Sequence, residues 1–167
     1  MTDFEKYVAL YSRDLTRFCM KLCGNVHDAE DLFQDTWARA LDKLKLYDEQ
    51  RSFKNWLFAI CVNLYKNTGK SKYNSARIVF ATDEEKERFF ASIPDKNKDI
   101  DAYIALHTAL GELPKKHRVV IILFYFKEFS LKEISEILNI PEGTVKSRLN
   151  TAKNLLKRRL YDEEDDR

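Results

Sequence analysis

Glycine and proline are scarce in this chain of 167 residues, which has four glycines and three prolines. Turn-rich sheet architectures use both residues often, so their scarcity argues against a sandwich or barrel and favours long helices. Cysteine is scarce as well. The three cysteines, Cys19, Cys23 and Cys61, cannot all pair, and none has zinc-ribbon spacing, so we expect no disulfide framework.

Long apolar runs are also absent, so we expect no membrane-spanning or secretory segment. This expectation predicts a cytoplasmic protein. No glycine-rich phosphate loop or catalytic Cys-His arrangement is recognisable, so we expect no enzyme activity, no catalytic residue and no cofactor. Cys19, Cys23 and His27 are spaced four residues apart in succession, but Gly24-Asn25 should end the helix before His27. We therefore expect no metal site.

The net charge of +2 hides a sorting of charges into blocks. Acids without Lys or Arg lie between Leu22 and Ala38, and bases without acids lie between Asn55 and Thr82. The C-terminal tail is acidic again. One such block is as easily a solvated helix face, but several together favour more than one charged partner.

The last third of the chain has the pattern of a helix-turn-helix. Ser130-Leu131-Lys132-Glu133 is a capping box, which predicts that a helix begins there. Asn139-Ile140-Pro141 breaks the helical spacing of the apolar residues that follow the box. From Glu142 to Leu160 a second apolar stripe recurs at helical spacing, which predicts a second helix.

Polar and basic side chains occupy the other faces of this second helix. Arg, Lys, Asn and Ser can match phosphates and base edges in the major groove of DNA, which is wide enough for one helix. The sequence therefore predicts that this helix reads duplex DNA. The candidate residues are Lys146, Ser147, Arg148, Asn150, Thr151 and Lys153.

Helical periodicity elsewhere predicts an all-α protein of two small helical domains joined by a linker. Three helices are predicted in the first domain, at about 4–22, at 27–44 and after an N-cap at Ser52. Two more precede the helix-turn-helix, at about 100–112 and 116–126. The predicted boundaries are residues 1–73, a linker at 74–99, residues 100–161 and an acidic tail at 162–167.

Three segments carry a resemblance to a known family. Asp28 to Trp37 looks like sigma region 2.2, Phe53 to Asn63 like regions 2.3 and 2.4, and Leu113 to Leu149 like region 4. In this order the chain resembles the extracytoplasmic-function (ECF, group 4) sigma factors of the sigma-70 family. The resemblance covers most of the chain and implies a region 2 helical bundle followed by a region 4 helix-turn-helix.

The resemblance implies three partners. Region 2.2 of the family binds the clamp helices of the β′ subunit of core RNA polymerase, which assigns that role to Asp31, Gln34 and Asp35. Region 2.4 of the family captures an unstacked base of the minus-10 element, a role that the resemblance assigns to Asn63. Lys66, Lys70 and Lys72 are expected to follow the backbone of the same DNA strand. Region 4 reads the minus-35 element through the six candidates named above. Together these contacts imply promoter melting and transcription initiation, held in check by an anti-sigma factor that can recruit the chain to the membrane.

Some points stay open from the residues alone. Tyr65 and Tyr73 are either stacking surfaces for single-stranded DNA or half-buried core residues. At Asn150 and Thr151 the sequence departs from the family pattern, which leaves the base preference open. A dimeric helix-turn-helix regulator is the main alternative function, and a helical interaction adaptor is a further one.

Overall fold

A computed structural model describes residues 1–67, 84 and 100–165. These residues are almost entirely helical, and no strand occurs among them. The predicted all-α class is therefore confirmed. We call residues 1–67 the front domain and residues 100–165 the rear domain. The predicted linker lies outside the described residues except for residue 84.

The front domain is a bundle of α1 (Asp3–Leu22), α2 (Val26–Asp42) and α3 (Phe53–Asn67), with a short 3-10 turn at Leu44–Leu46. Capping side chains begin each helix. Thr2 and Glu5 form a reciprocal capping box, Asn25 accepts from the Asp28 amide at 2.8 Å, and the Ser52 hydroxyl accepts from the Asn55 amide at 3.3 Å.

The aromatic core of this bundle is built around Phe53. Its ring stacks on Tyr7 with centroids 3.8 Å apart and lies 5.3 Å from the ring of Trp56. The helical periodicity of the sequence predicts that Leu10 and Leu41 belong to the apolar stripes of α1 and α2, but Leu10 is 67% exposed and Leu41 is 56% exposed. The periodicity placed both on the apolar face, but the bundle covers a narrower strip of α1 and α2 than the pattern suggested.

The junction between α1 and α2 corrects another expectation. Cys23, in an extended conformation, is the C-cap of α1, and Asn25 begins α2 at once. Gly24-Asn25 was predicted to end the first helix, so the break is located correctly but Asn25 caps the following helix instead. His27 lies exposed on α2, with Nε2 3.7 Å from Asp31 Oδ2, whereas Cys19 and Cys23 are buried. Within residues 1–67, 84 and 100–165, no group of three His, Cys, Asp or Glu side chains is placed to hold a metal.

The rear domain contains α4 (Ile100–Glu112), α5 (Lys115–Ile121), a π-helical extension at Ile122–Phe126, α6 (Leu131–Leu138) and α7 (Glu142–Asp165). The Ser130 hydroxyl accepts from the Glu133 amide at 3.1 Å, which confirms the predicted start of α6. Asn139 ends α6 in a left-handed conformation with φ 53°, a geometry that asparagine tolerates better than most residues. Because α7 extends to Asp165, the first part of the predicted acidic tail is helical.

One continuous hydrophobic core joins the two domains. Phe58 of α3 meets Phe129, which precedes α6, with ring centroids 5.4 Å apart. Asp14 of α1 lies 3.3 Å from Lys54 and 3.7 Å from Lys127, so an ion pair crosses the boundary. In the described part of the chain no helix is both long and apolar enough to cross a membrane.

His107 of α4 is buried at this boundary, 4% exposed. Burial, reinforced by the positive charges of Lys21 and Arg118, lowers the pKa of His107 to about 4. An unfolded chain would titrate this imidazole near pH 6.5, so the folded state excludes a proton that the unfolded state accepts. The neutral form therefore contributes full stability above about pH 6.5, and that contribution is lost as the pH falls toward 4.

We expect the free energy of unfolding, measured with urea, to be about 2 kcal/mol lower at pH 5 than at pH 7. His107→Gln should abolish most of this difference, because it removes the titrating group. The matched control is His27→Gln, since His27 is exposed and should leave the difference intact. An unchanged pH dependence in the His107 variant would contradict the assignment.

Candidate nucleic-acid interface

The exposed side of α7 carries the residues predicted to read duplex DNA. Val145, Leu149 and Ala152 are buried, so the apolar stripe of this helix faces the rear domain as predicted. This orientation turns the opposite side of the helix to the surface. Lys146, Ser147, Asn150 and Thr151 are exposed, while Arg148 and Lys153 are half-buried.

Four of these six residues line one groove of 410 Å³ between α7 and the π-helical extension. Its lining side chains are Phe124, Leu131, Lys146, Ser147, Leu149, Asn150 and Lys153. The Lys153 ammonium lies 5.4 Å from the ring centroid of Tyr125, a cation–π contact that fixes the lysine beside the groove. The groove thus combines an apolar floor with polar and positively charged walls.

Arg148 is held differently from its neighbours. Burial lowers the pKa of His117, and the nearby backbone of Arg148 acts in the opposite direction. His117 belongs to α5, which packs along α7. His117 of α5 therefore lies close to Arg148 on the helix that carries the candidate DNA-binding residues.

Two of the residues predicted to hold the minus-10 strand lie on the last turns of α3. Asn63 and Lys66 are exposed there, whereas Lys70, Lys72 and Tyr73 lie outside the described residues. Tyr65 corrects one of the open interpretations: it is fully buried, so its ring offers no stacking surface. Burial raises the pKa of Tyr65 to about 12 despite the opposing influence of Arg118, so its hydroxyl is neutral at physiological pH.

The residues predicted to bind polymerase share one face of α2. Gln34 is exposed, Asp35 is half-buried, and the Asp31 side chain is 44% exposed. Asp28, from the same acidic block, has a local structural role: its carboxylate accepts from the Asn25 amide nitrogen at 2.9 Å at the start of the helix. A negative charge there also complements the helix dipole.

Sequence reasoning missed the residues that join the two domains. Arg118 is only 4% exposed, and Lys115 donates to the Tyr65 carbonyl at 3.2 Å. The one available signal was the position of Arg118 directly before the apolar run 119–126, because an arginine buried with that run requires hydrogen-bond acceptors from elsewhere in the fold.

Comparison with known proteins connects this arrangement to a family. A model described as Sigma-70 region 2 matches residues 7–72, and one described as Sigma-70, region 4 matches residues 103–156. The two matches cover the front domain and most of the rear domain. The fold and these regions define the chain as a two-domain protein of the sigma-70 class.

Curated relatives narrow the class. The chain is 34% identical over 169 residues to the ECF RNA polymerase sigma factor SigW of Bacillus subtilis, an alignment that covers 95% of this chain and 89% of SigW. It is 31% identical over 157 residues to SigM of the same organism, covering 94% of each protein. The chain belongs to the ECF RNA polymerase sigma factors and is a transcription initiation factor.

Solved structures agree with this membership. The sigma factor RpoE of Bartonella quintana, solved in complex with the anti-sigma factor NepR, superposes with a TM-score of 0.72 at 25% identity, covering 96% of this chain and 98% of RpoE. CnrH, solved with the cytosolic domain of CnrY, gives a TM-score of 0.68 at 23% identity over 95% of this chain and 88% of CnrH, which supports the fold. The sigma-factor interpretation is thus favoured over the dimeric regulator and the adaptor.

Proposed function

We propose that the chain directs core RNA polymerase to promoters through α7 at the minus-35 element and α3 at the minus-10 element. The observation that carries this proposal is the exposed polar face of α7, with Lys146, Ser147, Asn150 and Lys153 along one groove. Lys146 and Arg148 contact phosphates or guanine edges, and Ser147, Asn150 and Thr151 complete the reading of bases. Lys153 contacts the DNA backbone.

Promoter melting follows from differential binding by the front domain. The amide of Asn63 has both a donor and an acceptor, so it can pair with the edge of a base that has left the stack. Lys66, and beyond the described residues Lys70 and Lys72, neutralise the phosphates of the separated strand. Contacts made only to the melted state shift the equilibrium toward it.

Asp31, Gln34 and Asp35 bind a basic surface of core polymerase, which the resemblance identifies as the β′ clamp helices. Polymerase performs the chemistry, so the chain itself has no catalytic residue and requires no cofactor. It acts in the cytoplasm. An anti-sigma factor holds it inactive and can recruit it to the membrane, a regulation supported by the similarity to RpoE, which was solved with NepR.

In vitro transcription on a library of randomised promoters tests both DNA assignments together. We expect Asn63→Ala to change selection at the minus-10 element and Lys146→Ala to change selection at the minus-35 element. Each variant is the matched control for the other, because each truncates one exposed side chain, Asn63 in the front domain and Lys146 in the rear domain. If wild-type chain gives no initiation above background with bacterial core polymerase, the proposal is wrong.

A further inference from the structure

The contact between the two domains centres on one buried side chain, Arg118 of α5. Its guanidinium donates to the carbonyl of Leu110 at 2.8 Å and of Leu113 at 2.9 Å, and also to the carbonyl of Gly111. These three acceptors belong to the rear domain. The remaining two bonds cross the boundary, to the Leu22 carbonyl at 3.3 Å and the Tyr65 hydroxyl at 2.5 Å.

These acceptors explain why a cation is stable in this position. The last carbonyls of a helix lack partners within the helix and carry partial negative charge. The ends of α1 and α4 converge on Arg118, and the end of α3 is bound by Lys115 through the Tyr65 carbonyl. The Lys115 ammonium also lies 4.8 Å from the Tyr65 ring centroid. We call Arg118, Lys115, Tyr65 and the Leu22 carbonyl the hub.

A second set of contacts holds the other side of the interface. The ion pair from Asp14 to Lys127 crosses the boundary, and Phe129 packs on Phe58. Burial on its own would raise the pKa of Asp14, but Lys127 and Lys54 together hold it below the usual value. Between α3 and α6 the interface leaves a groove of 540 Å³ beside Asn55 and Glu136.

The dimensions of this closed form conflict with promoter binding. A chain of this length packed around one core is about 40 Å across. The minus-35 and minus-10 elements are centred about 25 base pairs apart, which is about 85 Å along B-DNA. Asn63 and Lys146 are both exposed in the closed form, yet they cannot reach both elements at the same time. Engaging the whole promoter therefore requires the domains to separate.

We propose that the hub and the Asp14–Lys127 ion pair form an intramolecular latch that keeps the free chain closed and sets how readily it becomes competent for promoters. This inference rests on the proposed function. Because the competent state is a fraction of the free population, the apparent affinity of every extended complex is reduced by that fraction. Variants that weaken the latch should activate transcription at lower concentrations of the chain.

Two variants weaken the latch from the front domain. Arg118 itself is a poor target, because three of its five bonds stabilise the rear domain. Tyr65→Phe removes only a hydroxyl and keeps the ring under Lys115. Asp14→Asn removes the partner of Lys127, whose side chain is 8% exposed, and also the ion pair with Lys54 inside the front domain, so the alkylation rates of Cys19 and Cys61 report any loosening of that domain. The matched control is Tyr161→Phe, the same chemical change at a tyrosine that is 64% exposed.

The native cysteines report opening directly. Cys23 lies beside the hub, where Arg118 and Lys115 act on its thiol electrostatically, and it is 1% exposed. Cys19 and Cys61 lie inside the front bundle with their sulfur atoms 3.8 Å apart. Alkylation of Cys23 should therefore follow separation of the domains, whereas alkylation of Cys19 and Cys61 should follow unfolding of the front domain. Peptide mapping after iodoacetamide treatment distinguishes the two.

We expect Tyr65→Phe and Asp14→Asn each to speed Cys23 alkylation by up to about tenfold. This factor is the change in the opening equilibrium that the loss of one buried hydrogen bond or ion pair to a charged group should cause. Cys19, Cys61 and the Tyr161→Phe control should keep wild-type rates. With core polymerase, the same two variants should lower the chain concentration for half-maximal initiation by a similar factor.

The two measurements separate this proposal from the preceding one. If the wild-type chain initiates transcription but both variants leave Cys23 alkylation and the half-maximal concentration unchanged, the latch is wrong and the sigma-factor function stands. If the wild-type chain fails to initiate, the function fails, and the alkylation rates still decide whether the latch exists. Faster alkylation of all three cysteines would mean global destabilisation and would also overturn the latch.

Discussion

Replacing both Lys146 and Arg148 with alanine should reduce initiation at promoters that need the minus-35 element by about 100-fold. Each side chain is placed to make a charged contact with a phosphate or a base edge, and one good base contact discriminates by about 1–3 kcal/mol. Two such losses amount to about 2–6 kcal/mol, and a 100-fold reduction corresponds to about 2.7 kcal/mol, which lies within this range. The measurement is in vitro transcription with core polymerase at limiting concentrations of the chain.

A salt series makes the test specific to α7. Removing two cations that neutralise phosphates should flatten the dependence of log affinity on log salt concentration by about two units. The matched control is Lys157→Ala with Arg158→Ala, which changes the same residue types later in the same helix, outside the groove. The control should keep the wild-type base preference at the minus-35 element. An unchanged salt slope in the Lys146 and Arg148 variant would remove this helix from the interface.

Local signals were sufficient to predict the helix-turn-helix. The start of α6 at Ser130 and its end at Asn139 depend on capping chemistry within a few residues, and both are observed. The apolar stripe of α7 is likewise buried at Val145 and Leu149. Its exposed face follows once that stripe is placed, so the candidate minus-35 residues were accessible to prediction. Their contacts with DNA stay a prediction.

Properties that depend on the rest of the fold were harder to predict. Periodicity places Leu10 and Leu41 on apolar faces but does not say how wide a face the neighbouring helices cover. Tyr65 lies two residues after Asn63 and directly before Lys66, a pattern that also suits single-stranded DNA. In the fold it is buried, and its hydroxyl accepts a hydrogen bond from Arg118 of α5. The role of Arg118 at the domain boundary could not be predicted, because its two acceptors in the front domain, the Leu22 carbonyl and the Tyr65 hydroxyl, are far away in the sequence.

The sorting of charge along the chain gives each candidate surface a different sign. The face of α7 proposed to bind DNA is positive at Lys146 and Lys153, whereas the face of α2 proposed to bind polymerase is negative at Asp31 and Asp35. Because a negative face near DNA phosphates is electrostatically costly, we expect α2 to point away from the promoter when α7 binds it. This separation of sign orients the protein between its two large partners and suppresses wrong docking.

Reversing the charges on α2 should have a large effect on the affinity of the chain for core polymerase. Asp31→Lys combined with Asp35→Lys should weaken binding to core polymerase by about 100-fold, because two attractive contacts with a basic surface become repulsive. Binding should be measured by fluorescence anisotropy of the labelled chain, and the wild-type complex should weaken as salt is raised. Asp31→Lys and Asp35→Lys should also be measured singly. The matched control for each single variant is Glu49→Lys, which makes the same charge change at an exposed residue outside α2. Equal losses in the control and in the α2 variants would mean that net charge alone governs binding, and the assignment of this face would then be wrong.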